Sequence, residues 1–208
     1  DSVASRGLGD VYKRQVLFLL APLVVTMAVS FSSSPVFTLP APEWSLRWYE
    51  RLPRLRTFWS SLNLSLQIAA LSTLVSLILG TLAAIAIERG QFRGKDALVT
   101  FMVSPLMMPG LVVGVAMVQM LRELGLRDAW LSLLISHVVI TMPYVLRNVV
   151  ASLSLFDFGL IDAARTLGCS WPKAVLKVMV PALAPAFLTS GLFAFLASMD
   201  NYPISIFL

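Results

Sequence analysis

The longest uninterrupted apolar run constrains this chain most. Residues 62–87, LNLSLQIAALSTLVSLILGTLAAIAI, contain no charged side chain, and about 20 such residues suffice for a helix to cross the hydrocarbon core of a bilayer. The surplus length allows tilt. Gly80, Ala83 and Ala84 offer the small surfaces on which membrane helices pack. Further apolar runs at 16–31, 97–121, 129–146 and 181–208 predict about five spans, residues 32–34 completing the short first one. Only 13% of the chain is charged and 58% is hydrophobic, whereas a soluble domain carries about a quarter charged residues. The mean hydropathy of +0.83 agrees. The fold class read here is an all-α integral membrane bundle, with membrane lipid as its solvent.

A net charge of +5 raises nucleic acid as a partner. The basic residues are scattered over the loops and not gathered with aromatics on one face, which argues against it. They read instead as topology signals. With the N-terminus inside, ten Lys and Arg fall on the cytoplasmic side against six outside, and that bias favours a cytoplasmic N-terminus. Trp44, Trp48 and Tyr49 in the first outer loop suit an interfacial aromatic belt. Residues 1–15 lack both the apolar run of a signal peptide and helical periodicity. They are expected to be a tail, foreign to a permease domain at 16–208. Because the chain stops inside an apolar run at Leu208, a sixth span beyond it is expected. The single Cys169 excludes a disulfide within the chain.

Three polar or broken stretches interrupt the spans. In the third, SPLMMPG brings Pro105, Pro109 and Gly110. Each proline removes a backbone hydrogen bond, so the segment is either an ordinary kink or the lining of a pathway. In the fourth, His137 lies mid-span. An ionisable residue there suggests function, but a neutral histidine donating to a neighbouring helix carbonyl fits equally, and the absence of a charged partner in the span favours that reading. In the fifth, SMDNYP puts Asp200, Asn201 and Tyr202 within apolar sequence. A carboxylate facing lipid costs about 3 kcal/mol, so Asp200 either faces a bundle interior or marks the end of the span.

Residues 157–181, DFGLIDAARTLGCSWPKAVLKVMVP, are the one polar segment with a helix stop and start together. Asp157 is expected to cap a first short helix and Gly168 to end it in the left-handed region. Ser170 and Pro172 then open a second. Between 88 and 96 the chain has a P-loop-like look, but Gly90 and Gly94 are too close and Asp96 follows Lys95, so the chain has no ATP site of its own and no cofactor is expected.

The hairpin resembles the EAA loop of the membrane subunits of bacterial ABC importers: Asp162, Ala163 and Ala164, then Gly168, then Val178, Val180 and Pro181 at the family's spacing, with Asp in place of the usual Glu. LRWYERL, HVVITMPYVLRNV and LASMDNYPISIFL resemble the spermidine/putrescine branch. The resemblance implies a type I ABC importer permease fold of the MetI-like kind in the bacterial inner membrane. It implies three partners: a cytoplasmic ATPase dimer that binds ATP and Mg, a second, homologous permease subunit, and a periplasmic or extracellular solute-binding protein. Asp162, Ala163, Ala164, Gly168, Val178 and Pro181 would couple to the ATPase. Asp200, Asn201, Tyr202, Pro109 and His137 are the pathway candidates, and a polyamine is the expected solute. An ion-driven secondary transporter is the alternative, for which inverted repeats are wanting; a non-transporting anchor would leave SMDNYP and the broken third span unexplained.

Overall fold

A computed structural model describes residues 2–36, 38 and 42–207, with side chains from residue 11 onward. Asp1, Leu208 and the side chain of Arg6, on which the readings of the two ends and the charge bias partly rest, lie outside the described residues. Among those residues, three helices are long and apolar enough to cross a membrane, and the count reaches five if each of two bent helix pairs is one span. The chain divides into two units, residues 1–62 and 63–208.

In the first unit, α1 (Ser2–Ser30) begins well before Val16. Residues 2–15 are therefore helical, not an irregular tail. Residues 32–34 do not complete the helix either, because the chain turns at Ser32 into an antiparallel bridge with Trp44. Trp48 Nε1 donates to the Ser32 carbonyl at 2.9 Å, and Tyr49, in the short helix α2 (Arg47–Arg51), donates its hydroxyl to Ser30 Oγ at 2.7 Å. Each ring thus places its polar end on a hydrogen bond, to backbone for Trp48 and to a side chain for Tyr49, while Tyr49 also stacks on Phe31 with ring centroids 5.3 Å apart. Trp44 stays largely exposed.

The second unit is built from the long helix α3 (Arg56–Arg89), which enters it at Asn63, and from α6 (Ala129–Leu153), which runs seven residues past the expected end of its span. Asp128 starts α6 by accepting from the Leu131 N–H at 2.7 Å, a cap of about 1 kcal/mol. On α3 the buried positions Ala69, Ser72, Ser76, Gly80 and Ala84 form a stripe of small residues. The stripe is small for a steric reason. A Cβ on Gly80 would lie 2.9 Å from Val145 Cγ1 of α6.

Between these two, the third span is not one rod. Helix α4 (Lys95–Val103) tightens into a 3-10 turn, Ser104–Met107, and helix α5 (Gly110–Glu123) leaves at 111°. Met108, constrained by the following proline, is extended (φ −94°, ψ 143°), and Pro109 starts α5 without an N–H to satisfy.

The hairpin supplies the rest: α7 (Gly159–Thr166), then α8 (Trp171–Ala174), a π-helical turn at Val175–Met179 and α9 (Val180–Ala182). Pro181 cannot donate to the carbonyl four residues back and its ring crowds that turn. The turn is widened accordingly, with the Val180 N–H reaching Val175 O. The fifth span is thus shorter than residues 181–208. Helix α10 (Ala184–Met199) sets off at 74° from Trp171–Ala182, and a last turn, α11 (Tyr202–Ser205), follows a break.

Candidate functional site

Two places deserve the name of site, and they differ in where their backbone polar groups find partners. The first is the hairpin. Asp157 does not take the N-cap position expected of it; it sits one residue earlier, and its Oδ1 accepts from the Gly159 N–H at 2.8 Å. Gly168 adopts φ +90° with nothing within 4 Å of an added Cβ, as a left-handed helix end requires. The Cys169 N–H closes that end onto Ala164 O at 3.1 Å. Ser170 occupies the next N-cap position, but its hydroxyl makes no cap bond. Asp162 is not free either: Arg165 Nη1 lies 3.5 Å from its carboxylate, with both side chains more than half exposed.

One face of α7 anchors the hairpin and the other is open. Ile161 is 1% exposed within the main apolar cluster, which also holds Leu153, Ala174 and Met179, while Ala164, Cys169 and Val178 pack against it. Opposite, Leu160 and Ala163 are exposed, and Leu167 is 87% exposed. Leu155, just before the hairpin, is 89% exposed. An eight-residue helix with apolar residues on both faces has one face more than its own fold needs. Leu155, Leu160 and Leu167 escaped the motif reading, although their spacing in the sequence carries the signal.

The second site is a cavity of about 220 Å³ where the two breaks meet. Leu106, Met108 and Gly110 come from the broken third span, Tyr144 from α6, and Asp200 and Asn201 from the end of α10. Its volume is below the roughly 300–1,000 Å³ of a typical ligand pocket. The Asp200 carboxylate has no partner among the described residues; it is exposed, ends α10 and lines the cavity. Of the sequence candidates, Asp200 and Asn201 reach the cavity. Pro109 and Tyr202 are not in its lining, though Pro109 sets the break that Met108 and Gly110 contribute. Tyr144 was missed; a phenol beside Pro143 in an otherwise apolar span was its only signal.

His137 lies behind the cavity, 3% exposed. Its partners are hydroxyls and not the helix carbonyl expected: Nδ1 is 2.7 Å from Ser198 Oγ and Nε2 is 3.3 Å from Ser205 Oγ. Close approach of the break to α5 depends on GLVVG. A Cβ on Gly114 would lie 2.9 Å from Pro203 O, and one on Gly110 3.3 Å from Pro203 Cβ. The sequence carries this contact as a GxxxG spacing, Gly110 to Gly114.

Residues 76–208 match the family model described as "Binding-protein-dependent transport system inner membrane component". The chain belongs to that family. Among curated relatives, this permease is 32% identical over 197 residues to the putrescine transport system permease protein PotI of Escherichia coli K12, covering 91% of this chain and 70% of that one. It is 30% identical over 190 residues to the spermidine/putrescine transport system permease protein PotC of Haemophilus influenzae, covering 91% and 74%. Its fold matches that of a solved bacterial ABC transporter involved in the import of the acidic polysaccharide alginate, with a TM-score of 0.69 at 18% identity over 100% of this chain and 79% of the other. The expected all-α, MetI-like permease fold is therefore found, and the permease is a multi-pass inner-membrane transport protein and not an enzyme. Membership of the family also implies an ATPase and a binding protein as partners in general terms.

Proposed function

We propose that this chain forms one wall of the solute pathway of an ABC importer for a small organic cation of the polyamine class. The observation that carries this is the unpaired Asp200 carboxylate at the cavity between two broken helices, whose lining also includes Tyr144. A carboxylate attracts an ammonium group by charge, and an aromatic face adds cation-π attraction of about 0.5–2 kcal/mol. The named solutes of PotI and PotC support the same class. The cavity is small because a second, homologous permease would supply the facing wall.

The hairpin is the mechanical input. Its open face, Leu160, Ala163 and Leu167, would seat in a cleft of a cytoplasmic ATPase dimer, with Asp162 and Arg165 at the rim, Ala163 allowing close approach, and Ala164 on the inner face packed against the apolar cluster. Gly168 would be the hinge, and Val178 and Pro181 would pass the motion to α10. ATP and Mg would bind only to that dimer. A solute-binding protein would deliver the cation from outside, and the N-terminus would lie in the cytoplasm. Reconstitution with the co-encoded subunits in proteoliposomes tests this. Binding protein loaded with putrescine is expected to stimulate ATP hydrolysis, and Asp200→Asn is expected to abolish putrescine uptake while the complex still assembles. Unchanged uptake in that variant would remove Asp200 from the pathway.

A further inference from the structure

Ending a helix in an apolar environment leaves carbonyls that water cannot satisfy, so neighbouring groups must do it. At the end of α10 the chain turns through Asn201 (φ −86°, ψ 68°), an inverse γ-turn in which the Tyr202 N–H donates to Asp200 O at 3.0 Å. Asn201 Oδ1 accepts from the Ile204 N–H at 3.1 Å and so caps α11. The Asn201 carbonyl accepts from the Ser205 hydroxyl at 2.9 Å. That last bond decides the state of His137. A hydroxyl has one hydrogen, and Ser205 has given it to Asn201, so Ser205 Oγ can only accept from Nε2–H at 3.3 Å. A neutral ring then presents Nδ1 as an acceptor, which the Ser198 hydroxyl fills at 2.7 Å. Ser198 Oγ in turn lies 3.3 Å from the Ser72 hydroxyl on α3. Every donor in this row meets an acceptor with the neutral Nε2–H tautomer. A ring with both nitrogens protonated would bury a positive charge, in a residue 3% exposed, with no carboxylate paired to it among the described residues.

We propose that His137 is a positioning residue for transport: as the Nε2–H tautomer it staples Ser198, before the break, to Ser205, after it, and so fixes Asp200 at the cavity. This rests on the reading of that cavity as the solute pathway. The staple spans 61 residues to Ser198 and 68 to Ser205. It ties the break after α10 to α6, a continuous helix.

His137 is the chain's single histidine, so nitrogen-15 histidine labelling of the assembled complex in lipid nanodiscs, subtracted against His137→Asn, isolates its ring signals. One proton, on Nε2, is expected, and Ser205→Ala should shift Nε2 more than Nδ1. A proton on Nδ1, or on both nitrogens, would overturn the staple. In uptake assays His137→Phe should raise KM for putrescine about tenfold, with maximal turnover and complex yield held within about twofold. Ser205→Ala should raise KM about threefold, and in the double variant the two effects should fall short of additive, as those of coupled residues do. Full additivity, or reduced turnover at unchanged KM, would make His137 an ordinary packing residue and overturn the proposal. If His137→Phe fails to assemble, the labelled wild type and Ser205→Ala decide alone. Asp200→Asn in parallel separates the two readings: unchanged uptake there removes the pathway, whereas lost uptake with KM unmoved in Ser205→Ala removes only the staple.

Discussion

The hairpin at 157–170 and the break at 198–205 both stop and restart a helix within a few residues, yet they satisfy their freed backbone in different ways. At the hairpin the partners are close in sequence: Asp157 for the Gly159 N–H, Arg165 O for the Gly168 N–H, Ala164 O for the Cys169 N–H. The only ion pair there among the described residues is the exposed i,i+3 pair of Asp162 and Arg165, whose contribution is no more than about 0.5 kcal/mol. At the break, local capping by Asn201 is supplemented by Ser205, His137 and Ser198, and the backbone of Pro203 presses on Gly114. The hairpin leaves one apolar face exposed and closes its backbone bonds with its own residues, while Ile161 on its other face packs into the main apolar cluster. The break is held from outside itself, so its geometry is hostage to distant side chains.

That difference can be broken at either end. The largest effect is expected from Gly114→Leu. Its Cβ would meet the carbonyl oxygen of Pro203 at 2.9 Å, and backbone cannot step aside as a flexible side chain can. Overpacking of this kind costs about 1–3 kcal/mol or more, so uptake should vanish and complex yield on size exclusion should fall. Gly80→Leu should come next, through the clash with Val145, visible as a lowered unfolding midpoint in detergent. Gly168→Val forces a β-branched residue to φ +90°, which costs about 1–2 kcal/mol locally. It should leave the spans folded while reducing co-purification of the ATPase; undiminished co-purification would remove Gly168 as the hinge. The mildest expected change in stability is Asp162→Ala, with no resolvable shift in the unfolding midpoint but weaker ATPase association in a pull-down titration. If Asp162→Ala destabilised the chain as much as Gly80→Leu, the exposed Asp162–Arg165 pair would be a structural contact of the fold and not a surface left for a partner.

Features that depend on near neighbours in sequence were legible. Residues 62–87 could only be a span, Pro105 and Pro109 had to break the third, and Gly168 had to end α7, because hydropathy, a missing N–H and a missing Cβ act locally. The helical state of residues 2–15 and the end of α1 at Ser30 were misread, since a weakly periodic segment can be carried into a helix by the apolar run that follows it, and since Ser32 was claimed by Trp44 across the loop. Tyr144 and Gly114 left signals that needed a partner to interpret. For Asp200 the sequence stated a dilemma, lipid cost against pathway, without a means of resolving it.

By itself, then, the amino-acid sequence determined the class, the number of apolar runs and the helix stop and start of the hairpin, all of which follow from the length and local chemistry of the chain. Only the tertiary structure decided that Ser72, His137, Ser198 and Ser205 form one row and that Asp200 opens onto a cavity shared with the third span. The physical reason is that a hydrogen bond between residues 126 positions apart leaves no periodicity in the sequence. Each hydroxyl looks locally like any other small polar residue in a membrane helix until packing brings its partner within reach.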